Sequence, residues 1–151
     1  MIKKLDNRDI QVAKDIRAVF QASYKVEAEL LKAKDFPPLK RPLEKFTNSA
    51  TVFFGYIKDH ELAGIIEIEH CEDYTDINSL VVDPKYFRQG IAKALIEFIF
   101  RNYNSDLFTV ETGLANGPAT ALYRKLGFKE VRQWDTDFEV RKVKFERKRE
   151  S

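Results

Sequence analysis

Two periods of apolar residues alternate along this chain, and each switch between them marks an element boundary. Val12, Ile16, Val19 and Phe20 stand at i, i+4, i+7 and i+8. That is the spacing of one helical face, so a helix is expected from about Asp9 to Tyr24, capped by Asn7 or Asp6. The pattern resumes through Val26, Leu30 and Leu31. It must stop at Asp35-Phe36-Pro37-Pro38, because proline lacks an N–H and restricts the residue before it. Met1 to Leu5 reads as a short strand ahead of this helix, and Leu43 to Thr47 as a short helix after it. From residue 51 the period falls to two. Thr51 to Lys58 and Leu62 to Glu69, separated by Asp59-His60-Glu61, form a hairpin, and Tyr74 to Val82 is a third strand closed by Asp83-Pro84.

After Gly90 the helical period returns, with Ile91, Ala94, Leu95, Phe98 and Ile99 on one face. Leu107 to Thr112 is the next strand. Asn116-Gly117-Pro118 starts another helix, with proline near the first position, where its missing N–H does no harm; the helix carries Leu122 and Leu126 and ends at Gly127, a natural left-handed residue. Phe128 to Trp134 and Phe138 to Phe145 are the last strands, joined by Asp135-Thr136-Asp137. In the final strand Phe138 and Val140 share one face and Val143 and Phe145 the other, which predicts a bulge near Arg141-Lys142. The tail Glu146 to Ser151 is expected to fray. Tyr74 to Thr112 forms a βαβ unit, so its two strands should be parallel with a right-handed crossover.

Composition narrows the class. The 151 residues suit one domain over 1–151, long enough to bury roughly 70% of the surface its unfolded chain exposes. Hydrophobic residues make up 44% and charged residues 33%, as in a folded soluble protein. Basic and acidic residues number 26 and 24, a near-balance that argues against a nucleic-acid partner. The basic run Arg141 to Arg149 reads instead as a solvated edge strand. No apolar run approaches the ~18 residues of a membrane span, and the N-terminus lacks the apolar core of a signal peptide. The single cysteine, Cys71, excludes an internal disulfide and suits a reducing compartment, so a cytoplasmic location is expected. Monomer and homodimer are both compatible with this sequence.

Candidate chemistry gathers around the crossover helix. Its N-terminus lies at the mouth of the sheet, where backbone N–H groups and the helix dipole favour an anion. Gly90 has no Cβ to obstruct the approach of a phosphate, Ala92 adds little bulk, and Arg88 and Lys93 offer cationic donors. Here the chain resembles a known family. Leu80-Val81-Val82-Asp83-Pro84, followed by Arg88-Gln89-Gly90-Ile91-Ala92-Lys93-Ala94-Leu95, is similar to the acetyl-CoA-binding motif of GNAT acetyltransferases. Glu111, Asn116 and Ala121-Leu122-Tyr123-Arg124-Lys125-Leu126-Gly127-Phe128 resemble the second motif of that family, and the match runs in order over roughly residues 50 to 130.

The resemblance implies an α/β (α+β) fold: a mixed, mostly antiparallel twisted sheet of six to seven strands flanked by about four helices. Strands around 76–82 and 107–112 should splay apart to hold acetyl-CoA, the acyl donor. Leu80, Val81 and Val82 would meet the pantetheine arm through their backbone, and Arg88, Gln89, Gly90, Ile91, Ala92 and Lys93 the pyrophosphate. Asn116 would cap its helix, bind the pantetheine or CoA, or do both. The implied activity is N-acetyl transfer to a primary amine; a non-catalytic acyl-CoA-binding sensor is the alternative. One departure stands out. Phe87 occupies a position where the family usually has Gln or Arg, with Arg88 beside it as a substitute.

Tyr123 resembles the family's general acid, which protonates the departing thiolate. A thiol with pKa ~8.5 and a phenol with pKa ~10 are close enough for that transfer. Taken alone, Tyr123 would simply pack on Ala119 one turn earlier. The acceptor amine needs a base, because presenting a lysine-like amine neutral at pH 7 costs about 4.6 kcal/mol. Glu111 ranks first for that role and Asp76 second, both at positions where family members place carboxylates; Glu67 and Glu69 are further candidates. His70 and Cys71, as strand neighbours, should face opposite ways and make no nucleophile pair. No Cys/His spacing suits a metal. The acceptor should arrive from the side of the first two helices and their Pro37-Pro38 loop, where Glu27, Glu29 and Asp35 could attract a cation.

Overall fold

Strand residues next to each other in sequence pack into two different cores, one on each face of a sheet. In the computed structural model, which describes residues 1–149, the elements run β1 (Ile2–Leu5), α1 (Ile10–Leu31), α2 (Leu43–Thr47), β2 (Val52–Lys58), β3 (Glu61–His70), β4 (Tyr74–Val82), α3 (Ile91–Asn102), β5 (Leu107–Gly113), α4 (Gly117–Lys125), β6 (Lys129–Asp135) and β7 (Arg141–Lys148). Short 3-10 turns cover Pro37–Lys40 and Pro84–Tyr86. Phe53, Ile65 and Val81 join Ile16, Phe20 and Phe46 of α1 and α2. Their alternate neighbours Phe54 and Ile66 join Ile91, Leu95, Ile96 and Ile99 of α3. The first core is aromatic: Phe20 meets Phe46 edge-on with ring centroids 4.9 Å apart. Each fully buried phenylalanine contributes roughly 1.5–3 kcal/mol of transfer free energy.

The seven strands form one sheet in the order β1-β2-β3-β4-β5-β7-β6. All neighbours are antiparallel except β4 and β5, the parallel pair of the expected βαβ unit. That pairing is short. It joins Tyr74–Ile77 to Leu107–Val110 and then stops. Glu67 pairs with Ser79 while Ile68 pairs with Ile77, so Asn78 is an extra residue in β4. A bulge of this kind bends its strand, and beyond it Leu80–Val82 pair only with β3 while Glu111–Gly113 pair only with β7. The two strands splay, as the resemblance implied.

Several expectations need correction. The cap of α1 is Asp9, whose carboxylate accepts from the N–H groups of Gln11 and Val12, rather than Asp6 or Asn7. Asn7 instead donates to the carbonyls of Phe46 and Ser49, tying the start of α1 to the end of α2. The helix runs unbroken to Leu31 and ends on Lys32 in the left-handed region at φ 54°. No bulge falls at Arg141-Lys142, because β7 begins only there. Phe138 and Val140 belong to a tight turn closed by Thr136, whose Oγ1 donates to the Val140 carbonyl at 2.6 Å. They pack with Leu31 and Phe36, which is why their alternation is out of step with the strand. The irregularity lies on β6, between Glu130 and Arg132. The tail is ordered further than expected: β7 continues to Lys148, and the Arg149 N–H donates to the Asp106 carbonyl at 2.8 Å. Residues 150 and 151 of that tail lie outside the described residues. Among the described residues, no helix is long and apolar enough to cross a membrane.

Candidate active site

The splay leaves part of β4 without a strand partner, and the direction of its amides follows from one bond. The Asp83 N–H donates to the Ala63 carbonyl, toward β3. Amides alternate in direction along a strand, so the N–H and C=O groups of Val82 and Leu80 face the open side. The Val82 N–H, reaching Ser23 Oγ at 3.4 Å, confirms that sense. Val81 points its side chain into the α1 core and is fully buried. An extended acyl-carrying arm laid along this edge would find donors and acceptors at Leu80 and Val82.

Past β4 the chain turns through Pro84–Tyr86 into a loop where Arg88 (φ 64°) and Gly90 (φ 75°) are both left-handed. Gly90 is the residue just before α3, and a Cβ built on it would meet nothing within 4 Å. The space in front of the helix is therefore open, and the conformation suits glycine. Arg88, Gln89 and Lys93 are exposed around it, Ala92 is half-buried, and Ile91 turns into the core. The Lys58 ammonium donates to the Gln89 side-chain oxygen, bringing a further cation to this loop. Lys58 went unnoticed in the sequence because it closes a hairpin strand far from residue 89. An anion placed here would meet backbone N–H groups, the α3 dipole and three cationic side chains.

On the other side of the splay lies a cleft of about 860 Å³. It brings together Asp76, Leu80, Glu111, Asn116 and Tyr123 from the sequence-based set, with Glu27 and Glu67. The Arg88–Lys93 loop does not line it; the loop is a separate, open surface at the start of α3. Tyr24, Phe36, Pro37 and Pro38 form part of the wall, on the side where the acceptor was expected. Glu69 is exposed and absent from the lining, as are Glu29 and Asp35. Asp35 pairs with Lys40 instead.

The four cleft carboxylates differ in what they meet. Glu67, 2% exposed, is clasped by Arg41 through two bonds of 2.8 and 3.0 Å, and accepts from Thr51 Oγ1 at 2.6 Å and Ser79 Oγ at 2.9 Å. Its oxygens are spoken for, which removes it from the candidate bases. Glu111 meets Lys142 at 3.1 Å and is well exposed. Asp76, half-buried, accepts from Thr109 Oγ1. Burial raises its pKa above the ordinary aspartate value; the Thr109 bond opposes this, and the charges of Glu111 and Glu69 add to it. Glu27 accepts from Asn116 Nδ2 at 2.8 Å and Thr112 Oγ1 at 3.4 Å, and burial raises its pKa against those two bonds. Among the described residues neither Glu27 nor Asp76 has a cation in salt-bridge contact. Asn116 also caps α4, accepting from the Ala119 N–H at 3.2 Å.

Tyr123 is 5% exposed and packs edge-on against Phe128, with centroids 5.7 Å apart, and against Phe145. Among the described residues no buried side-chain oxygen lacks a partner, and the Tyr123 hydroxyl makes no hydrogen bond to the protein. The hydroxyl therefore opens onto the cleft that the residue lines. Burial, followed by the charge of Glu27, raises its pKa well above that of an ordinary phenol, so it stays protonated through neutral pH.

A bulged strand that splays from its parallel partner within a mostly antiparallel sheet, with a glycine-led helix joining the two, defines the class, and comparison with known proteins supplies the family. The model of the acetyltransferase (GNAT) domain matches residues 49–130, a little over half of the chain. The chain belongs to the GNAT acetyltransferase domain family. It is 34% identical over 132 residues to the UPF0157 protein YqkA of Bacillus subtilis, covering 87% of this chain and 38% of that protein. It is 40% identical over 83 residues to an N-alpha-acetyltransferase of Saccharolobus solfataricus, covering 52% of this chain and 46% of the relative. The chain thus spans less than half the length of either relative. A solved PaiA N-acetyltransferase of Thermoplasma acidophilum in complex with coenzyme A superposes with a TM-score of 0.74 at 22% identity, over 99% of this chain and 98% of that one. The unpaired edge of β4 and the glycine before α3, whose Cβ would meet nothing within 4 Å, fit acetyl-CoA, the donor used by this family.

Proposed function

We propose that this chain transfers an acetyl group from acetyl-CoA directly to a primary amine of a small molecule, peptide or protein. The observation that carries this reading is the pairing, in one cleft, of a Tyr123 that holds its proton at neutral pH with two carboxylates, Glu27 and Asp76, whose pKa values are raised and which make no salt bridge among the described residues. The thioester would lie between the open β4 edge and Tyr123, with the pyrophosphate at the Arg88–Lys93 loop. An ammonium is drawn to the anionic wall and passes one proton to a carboxylate there. Glu111 and Asp76 remain the candidates on the sheet, and the geometry adds Glu27, with a raised pKa suited to that exchange. The amine nitrogen attacks the thioester carbon, and the Leu80 N–H on the open edge is placed to steady the oxyanion. Tyr123 then protonates the departing sulfur. Likeness to an N-alpha-acetyltransferase supports polypeptide N-termini as one acceptor class.

The test is release of free CoA thiol from acetyl-CoA over a panel of N-terminal peptides, lysine peptides, polyamines and aminoglycosides. At least one amine should give turnover, and Tyr123→Phe should lower it about 100-fold. Tight acetyl-CoA binding without transfer to any amine would leave the sensor reading in its place.

A further inference from the structure

One primary amine of the chain itself lies in the cleft that an acceptor amine would have to enter. Among the described residues Lys142 is the only lysine lining the cleft, and its Nζ lies 3.1 Å from Glu111 Oε1 with 29% of the side chain exposed. Its backbone is held on both sides, paired with Gly113 of β5 and Trp134 of β6. The Trp134 ring centroid is 5.9 Å from the ammonium, and the Lys142 charge reaches Glu27 as well. A primary ammonium fixed among the cleft carboxylates, in a pocket shared with Leu80 and Tyr123, has the surroundings proposed for the substrate.

We propose that Lys142 is a self-acetylation site, modified by acetyl-CoA bound to its own chain when no external amine competes. The inference rests on the acyl-transfer reading of the cleft. Glu111 takes one proton from the ammonium and later returns it to solvent. Lys142 Nζ then attacks the thioester carbon; the C–N bond forms as the C–S bond breaks. A second proton leaves the nitrogen, and the sulfur gains one by way of Tyr123, so the products are Nε-acetyl-lysine, the CoA thiol and one proton. The amide carries no charge, so the contact with Glu111 loses its ionic character and the acetyl group fills space beside Trp134.

The purified chain is incubated with acetyl-CoA and no amine, and followed by intact mass and peptide mapping. One acetyl group should accumulate on Lys142 at least about ten-fold faster than on exposed Lys129, because the positioned amine needs no encounter. The rate per chain should not change on dilution. Lys142→Arg should abolish the fast addition, and Tyr123→Phe, checked for an unchanged thermal melt, should slow it. Equal rates at Lys142 and Lys129, or an undiminished rate in Tyr123→Phe or in heat-unfolded chain, would mean ordinary chemical reactivity and overturn the inference. If free amines are acetylated while Lys142 stays unmodified, the inference fails and the acyl-transfer reading stands. If neither is modified, both fail.

Discussion

Two corners of the cleft each hold a glutamate, Glu67 buried and Glu27 half-buried, and surround it differently. At the Glu67 corner, Arg41, Thr51 and Ser79 supply four bonds, two from a guanidinium. At the Glu27 corner, Asn116 and Thr112 supply two neutral donors. Buried charge is tolerated when it is paired and hydrogen-bonded, and otherwise the group shifts toward its neutral form. Glu67 is therefore part of the scaffold. Its partner Arg41 follows the Pro37–Lys40 turn, lies 4.1 Å from the centroid of the Phe46 ring and donates to the Lys45 carbonyl, so the pair pins the acceptor-side loop to β3. Glu27 is held in place by neutral donors without a salt bridge among the described residues, the arrangement the proposed proton exchange requires.

Removing the Glu67 charge should give the largest effect. Glu67→Gln leaves the Arg41 guanidinium, 22% exposed, without its counter-ion. Breaking a buried pair from one side costs about 3 kcal/mol at the low end of the usual range. Denaturant unfolding should show that loss, and a change under about 1 kcal/mol would mean that solvent already screens the pair.

Glu27→Gln should behave in the opposite way. Its raised native pKa means that the folded chain holds a proton at pH values where the unfolded chain has lost it. Wild-type stability therefore falls as pH rises through the window between the ordinary glutamate pKa and the raised one. The variant lacks that loss. It should match wild type in acid and exceed it at neutral pH, while acetyl transfer drops about ten-fold and the acidic limb of its pH–rate profile shifts. A variant less stable than wild type at neutral pH would erase the distinction between the two corners.

How much of this was legible beforehand divides along the same line. Local pattern located the strands of the sheet and the helices packed on it, and the two motifs pointed to Tyr123 and Asn116, which line the cleft, and to Gly90, which precedes α3. The roles of the carboxylates depend on contacts between distant residues. Glu67 stood among the candidate bases because nothing near it in sequence announces Arg41, 26 positions away. Glu27 looked no different from Glu29 on the same helix; only the tertiary fold turns one to Asn116, 89 positions on, and leaves the other in solvent. Lys142 read as part of a basic edge run, because the order β5-β7-β6, which puts its strand inside the sheet, is not written in any local spacing.

The donor loop should respond independently of both corners. Gly90→Ala meets no atom within 4 Å but must hold φ at 75°, which costs about 1 kcal/mol for a residue with a Cβ. The added methyl projects into the space assigned to the pyrophosphate, so KM for acetyl-CoA should rise while KM for the amine stays constant. Phe87→Arg is the subtlest change. Phe87 is 40% exposed and contributes no charge to the loop. A guanidinium there, against a phosphate in solvent, is worth about 0.5 kcal/mol, so KM for acetyl-CoA should fall about two-fold, and less at high salt. The acidic limb of the pH–rate profile should not move, because that limb belongs to the carboxylates of the cleft. If it did shift, the loop and the Glu27 corner would be electrostatically coupled, and donor binding could not be separated from proton transfer.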